Sequence, residues 1–263
     1  MSEQLVEQTN EQRFHNLRVW NVSMGGLHLA QGIIMLLVSS AFALPITTAY
    51  VEYDLAAQKL GTALTTLTDI RVGPLVAGFL FLSALAHLVV SVGGGYRWYV
   101  NNLKRGLNLA RWVEYSFSSS LMIVVIAMLV GIYDLSALIL LFTLNAMMIL
   151  CGWLMEIHNQ TTPRTDWTAF IFGCIAGLVP WVVIGLHLFN AGEGEFRAPM
   201  FVYWIYGSIF VFFNIFAINM ILQYRKVGRW HEYLYGEKAY ILLSLVAKSL
   251  LAWQVWAGTL RPV

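Results

Sequence analysis

AYILLSLVAKSLLAWQVWAG, residues 239–258, is an apolar run long enough to cross a bilayer, and it carries one charged group, Lys248, near its middle. Along a helix Lys248 lies roughly 18 Å past Gly236, too deep for easy retreat to an interface. An ionised side chain at that depth is unfavourable by roughly 3 kcal/mol on insertion scales, so it calls for a partner or a function. Two partners suit an amine. One is a carboxylate on a neighbouring helix. The other is an aldehyde, because a desolvated lysine is the usual imine former. Ser244, four residues earlier, shares the helical face of Lys248 and brings a hydroxyl to the nitrogen.

Hydrophobic residues make up 59% of the 263 and charged residues 11%, which places the chain among polytopic membrane proteins in contact with lipid. The net charge of +2, with no basic run interleaved with aromatics, is too small to suggest a nucleic-acid partner, and no nucleic acid is expected. Cys151 and Cys174 fall inside apolar runs and read as packing thiols, not a disulfide or a metal site. The start, MSEQLVEQTNEQRFHNLR, lacks the basic-then-apolar order of a cleavable signal.

Seven spans of bilayer length fall near 17–41, 72–93, 106–130, 134–156, 167–190, 199–224 and 236–260. They predict an all-α membrane protein, a single seven-helix transmembrane domain over residues 1–263. Eleven basic residues fall at the N-terminus and in the 2–3, 4–5 and 6–7 connections with their adjoining helix ends. Four fall on the opposite side (Lys59, Arg71, Arg197, Arg261). The positive-inside rule then places residues 1–16 in the cytoplasm and the C-terminus outside a cell membrane. The connection 43–71, with ITTAYVEY and GTALTTLTDI, has the Thr, Val, Tyr and Ile content of a short extracellular β-hairpin between the first two spans. Its edge suits either pairing with a second protomer or capping of the bundle.

Depth arithmetic gathers six polar side chains. His28, His87, Glu114, Asn145, Asn214 and Lys248 each lie ten or eleven residues from a charged residue marking the cytoplasmic boundary, and so share a level roughly 15 Å inside it. Such a layer is expected to face inward. Glu114 is the one carboxylate read at that depth, with Glu156 and Glu237 assigned to cytoplasmic helix ends. Glu114 is therefore the natural partner of Lys248, or alternatively of Arg111 one turn earlier. His28 and His87 read as a hydrogen-bonded pair able to take up a proton, with a metal site disfavoured because no third ligand or HxxxH spacing accompanies them. Phe210–Phe216 (FVFFNIF), Trp181 after Pro180, and Met147, Met148 and Gly152 supply rings and space for a flat apolar ligand beside the lysine.

RWVEYSFSSS (111–120), FGCIAGLVPW (172–181) and SLVAKSLLAWQ (244–254), with FALP (42–45), SALAH (83–87) and GEKAY (236–240), resemble the heliorhodopsins, a branch of the microbial rhodopsins inverted in the membrane. The resemblance implies all-trans retinal bound covalently to Lys248 as a protonated Schiff base, Glu114 as counterion, and Ser244 and Ser118 as hydrogen-bonded neighbours. It assigns His28 and His87 to a polar, proton-accepting cavity, and Tyr115, Asn145, Met148, Gly152, Trp181, Phe213 and Asn214 to the lining or border of the polyene. It further implies a homodimer.

The expected function is light sensing that signals to a soluble cytoplasmic partner, without enzymatic activity. The competing reading is a light-driven proton or ion transporter. Against it, the run from Tyr115 to Gly131 has no further acid for an outward relay.

Overall fold

A bilayer interior offers no water to backbone N–H and C=O groups, so each apolar run closes its hydrogen bonds within itself as a helix. The computed structural model describes residues 2–56, 58–190, 192 and 197–261. In chain order the elements are α1 (Ser2–Val38), β1 (Ala43–Asp54), β2 (Lys59–Arg71), α2 (Val72–Val89), α3 (Gly93–Lys104), α4 (Leu109–Leu129), α5 (Leu135–His158), α6 (Thr168–Asn190), α7 (Met200–Tyr224) and α8 (Tyr233–Val255). The last continues as a π turn to Leu260. Among the described residues, all these helices except α3 are long and apolar enough to span, and the chain is a multi-pass membrane protein.

The expected hairpin is present. β1 and β2 run antiparallel from Ala43 opposite Arg71 to Asp54 opposite Lys59, with a bulge between Ile46 and Thr47. Ile46 is buried at its base, and the Thr47 amide donates to the Tyr133 carbonyl at 2.9 Å, fastening the hairpin to the α4–α5 turn. That turn is made at Gly131, whose φ of +90° suits glycine.

Two boundaries differ from expectation. The first span ends at Val38, where the Ser39 hydroxyl donates back to the Met35 carbonyl at 2.5 Å and the chain turns toward the hairpin. The second ends at Val89, short of a glycine run that opens with Gly93 at φ +49° and begins α3, a helix absent from the sequence reading.

Side-chain caps fix where the central helices start. Asn108 accepts from the Arg111 amide and Asp134 from the Ala137 amide, each at 3.0 Å. The core lies around α4: 61% of its apolar window is buried, against 22–39% for the other six spans, so its polar side chains point into protein on most sides. Toward the hairpin end the packing is mainly aliphatic, with Leu80, Ile123, Ile126, Ile205 and Leu251 around Phe79. Toward the other end it turns aromatic, with Trp112, Tyr115 and Tyr240 beside Met155 and Met220.

Candidate functional site

Lys248 sits inward on α8 with 3% of its surface exposed, and the packing of α8 against α2 and α4 decides what it meets. Its Nζ donates to Glu114 Oε1 at 2.7 Å, to Ser83 Oγ at 2.5 Å and to Ser244 Oγ at 3.0 Å. An ammonium has three protons, and all three have acceptors. The Ser83 hydroxyl donates to Glu114 Oε1 at 2.6 Å, closer than the Phe79 carbonyl of its own helix at 3.2 Å, so the serine from α2 bridges amine and acid. Sequence reasoning missed Ser83 as a site residue, though it precedes His87 by four residues and therefore shares its helical face.

A buried ion pair loses hydration on both charges, and these extra hydrogen bonds are what make such a pair tolerable. The Tyr115 ring lies 5.2 Å from Nζ, presenting its negative face to the cation. The Tyr115 hydroxyl donates to the Tyr240 carbonyl at 2.9 Å, which fixes the ring.

His28 and His87 come together, but as a ring stack and not as the expected hydrogen-bonded pair: their centroids are 5.7 Å apart with 17° between planes. Gly25 permits it, since a Cβ there would stand 2.8 Å from the His87 Cβ. His87 Nδ1 hydrogen-bonds Asn21 Oδ1 at 2.8 Å. His28 is fully buried, and neither ring nitrogen has a hydrogen-bond partner among the described residues. No group of three His, Cys, Asp or Glu among the described residues is arranged to hold a metal.

On the other side of Lys248 lies an apolar cavity of about 840 Å³, counting its open mouth. Of the expected residues, Tyr115, Ser118, Met148, Gly152, Phe213 and Ser244 line it along with Lys248. Gly152 is required by shape: a Cβ there would lie 2.5 Å from the Trp112 ring, which forms one wall. Trp181 stands just outside the lining, edge-on to Phe213 at 5.3 Å. Asn145 is buried but turned to α4, where it donates to Ser119 at 2.8 Å and Ser120 at 3.0 Å.

Asn214 corrects the expected layer. Its side chain is exposed on the outer face of α7 and donates to its own helix at the Phe210 carbonyl, 2.8 Å away. Equal depth does not imply equal facing, and on α7 the inward position near that level belongs to Phe213.

The alternative pairing of Glu114 with Arg111 does not form; Arg111 Nη2 meets Glu156 Oε1 at 2.6 Å and Glu237 Oε1 at 3.3 Å. Both acids, assigned from sequence to helix ends, are buried. The guanidinium is stacked between Tyr240 and Trp112, 3.9 and 4.1 Å from the two rings.

Comparison with known proteins agrees with this architecture. A family model described as Heliorhodopsin matches residues 17–260. Among solved structures, the transmembrane domain and linker region of the Salpingoeca rosetta rhodopsin phosphodiesterase superposes with a TM-score of 0.64, covering 95% of this chain and 74% of that one. At 13% identity that likeness concerns the fold alone. None of the curated proteins matches in sequence.

Proposed function

Since the chain belongs to the heliorhodopsin family, we propose that it is a light-sensing retinal protein, with the chromophore covalently on Lys248 and Glu114 as counterion, and that it signals and does not pump. The observation carrying this reading is a single amine, 2.7 Å from a buried carboxylate, on the wall of an apolar cavity. The residues present fit the group. The walls of the cavity are aromatic and thioether, and one primary amine opens into it, the lining an apolar polyene aldehyde needs.

All-trans retinal bound there through an imine would supply visible absorption and a light-driven change of shape. The protein's residues do the rest. Trp112, Tyr115, Met148 and Phe213 hold an apolar chain and exclude water, with Gly152 leaving room for the Trp112 ring. Glu114 holds negative charge against the Lys248 nitrogen, and Ser83 and Ser244 fix that nitrogen by hydrogen bonds. His28 and His87, stacked within the same half of the bundle, are the groups to receive a proton displaced from that nitrogen. Altering the charge balance of a buried pair biases how α2, α4 and α8 pack, and that bias is the signal.

Basic residues orient the N-terminus and α3 toward the cytoplasm, where a soluble partner reads the change, and the hairpin supports a homodimer outside. Lys248 acts as an attachment point, not in enzymatic turnover. Transport is disfavoured because α4 from Tyr115 to Leu129 carries no acid toward the hairpin end. Illumination of vesicles in lightly buffered medium tests this. The expected result is no sustained pH change sensitive to an uncoupler; a sustained one makes the protein a pump.

A further inference from the structure

Beside the apolar cavity, whose wall includes Arg111, Trp112 and Tyr240, lies a second and more highly charged buried site in which the two acids on Arg111 have no role in the reading above. Glu156 on α5 accepts four hydrogen bonds: from Arg111 Nη2 at 2.6 Å, the Tyr233 hydroxyl at 3.3 Å, the Asn108 amide at 3.1 Å and Trp112 Nε1 at 2.5 Å. Glu237 on α8, with no exposed surface, accepts from Asn108 Nδ2 at 2.6 Å and Gln223 Nε2 at 3.4 Å besides its 3.3 Å contact with Arg111. Among the described residues Arg111 is the only cation at ion-pair distance from either acid. Two carboxylates thus share one nitrogen of one guanidinium, leaving one positive charge too few in a place where unbalanced charge is costly.

A cavity also reaches this cluster. Of about 400 Å³, counting its open parts, it is lined by Asn21, Ser83, His87, Asn108, Arg111 and Glu114 among others. It touches Glu114 and Ser244 of the Lys248 site and Arg111 and Asn108 of the cluster, which are the residues that hold Glu156 and Glu237.

We propose that Glu156 and Glu237 bind one proton between them, and that the cavity connects this proton site to Glu114. A proton restores balance where no second cation is at hand, and like carboxylates held together titrate as one coupled unit. The groups facing the pair are Arg111 from α4, Tyr233 and Tyr240 from α8 and Tyr224 from α7. His87 and Glu114 stand at the far end of the cavity. Tyr99 of α3 also lines it, and burial pushes its phenol above the ordinary range, so it stays neutral and does not compete for the role. The connection rests on the reading of Lys248 and Glu114 as the light-responsive centre; the proton site does not.

Infrared titration of the full chain in nanodiscs, without retinal, between about pH 5 and pH 9 tests the site. A carbonyl stretch of one protonated carboxylic acid is expected near neutrality. It should vanish in Glu156→Gln and in Glu237→Gln, each leaving one acid to one arginine, and persist in Glu114→Gln. A band missing throughout, or surviving in both cluster variants, overturns the proposal. If those variants do not fold, Asn108→Ala, which removes a donor and no acid, must shift the band, and an unmoved band overturns the proposal equally.

With retinal added and pigment verified by visible absorption, illumination must alter the same band. A pigment that cycles while the band stays constant refutes the connection. Failure to form pigment counts instead against the Lys248 reading, and the dark titration still decides the proton site.

Discussion

Removing either member of the Lys248–Glu114 pair should cost far more than removing both. In Glu114→Gln the ammonium keeps Ser83 and Ser244 but loses its counter-charge at 2.7 Å. In Lys248→Met the carboxylate keeps the Ser83 hydroxyl but no positive charge among the described residues. Breaking a buried pair from one side costs about 3–5 kcal/mol because an uncompensated charge remains, whereas replacing both partners by uncharged groups of similar volume is often neutral or better. For a chain of this size 1 kcal/mol moves the midpoint by roughly 2–4 °C, so each single change should lower it by roughly 6–20 °C. The double variant should melt no lower than the better of the two. The assay is thermal unfolding of the retinal-free protein in one detergent, read as a double-mutant cycle. Two single changes that each cost under about 1 kcal/mol and add up in the double variant would refute the buried ion pair.

Gly152→Ala places a methyl 2.5 Å from the Trp112 ring, overpacking worth about 1–3 kcal/mol, so retinal uptake should weaken roughly 5- to 150-fold in a pigment-formation titration. Unchanged uptake would mean that the Trp112 wall yields freely. His28→Phe keeps the stack on His87 and removes two buried nitrogens that have no described partner, so thermal stability should hold or rise while light-induced absorption transients change. A fall of more than a few degrees would show that those nitrogens are bonded after all.

Much of this site was legible in the sequence because charge is scarce inside apolar helices. A lone lysine in the middle of the last span leaves few acids to pair with it, and ten residues from Lys104 to Glu114 match ten from Lys238 to Lys248. The hairpin was legible too, from its Thr, Val and Tyr content between two spans. Facing was not. Counting residues from a boundary gives depth but no azimuth, which is why Asn214 was grouped with Lys248 although α7 turns it outward and Phe213 inward.

Glu156 and Glu237 were read as helix ends because their spans appeared to stop at them. α5 in fact continues to His158 and α8 begins at Tyr233, drawing both acids under the aromatic layer onto Arg111. Ser83 went unassigned because a serine in an apolar helix commonly satisfies itself on its own backbone, as Ser83 does with the Phe79 carbonyl at 3.2 Å, and only the approach of α2 to α4 and α8 brings Glu114 closer, to 2.6 Å.

The central claim, that Lys248 carries the chromophore, is tested most directly by incubating the full chain with all-trans retinal, reducing any imine with borohydride and weighing the intact protein. The wild type should turn coloured and gain the mass of one retinyl group, and Lys248→Ala should remain colourless at its own mass. A retinyl adduct on Lys248→Ala would contradict the account.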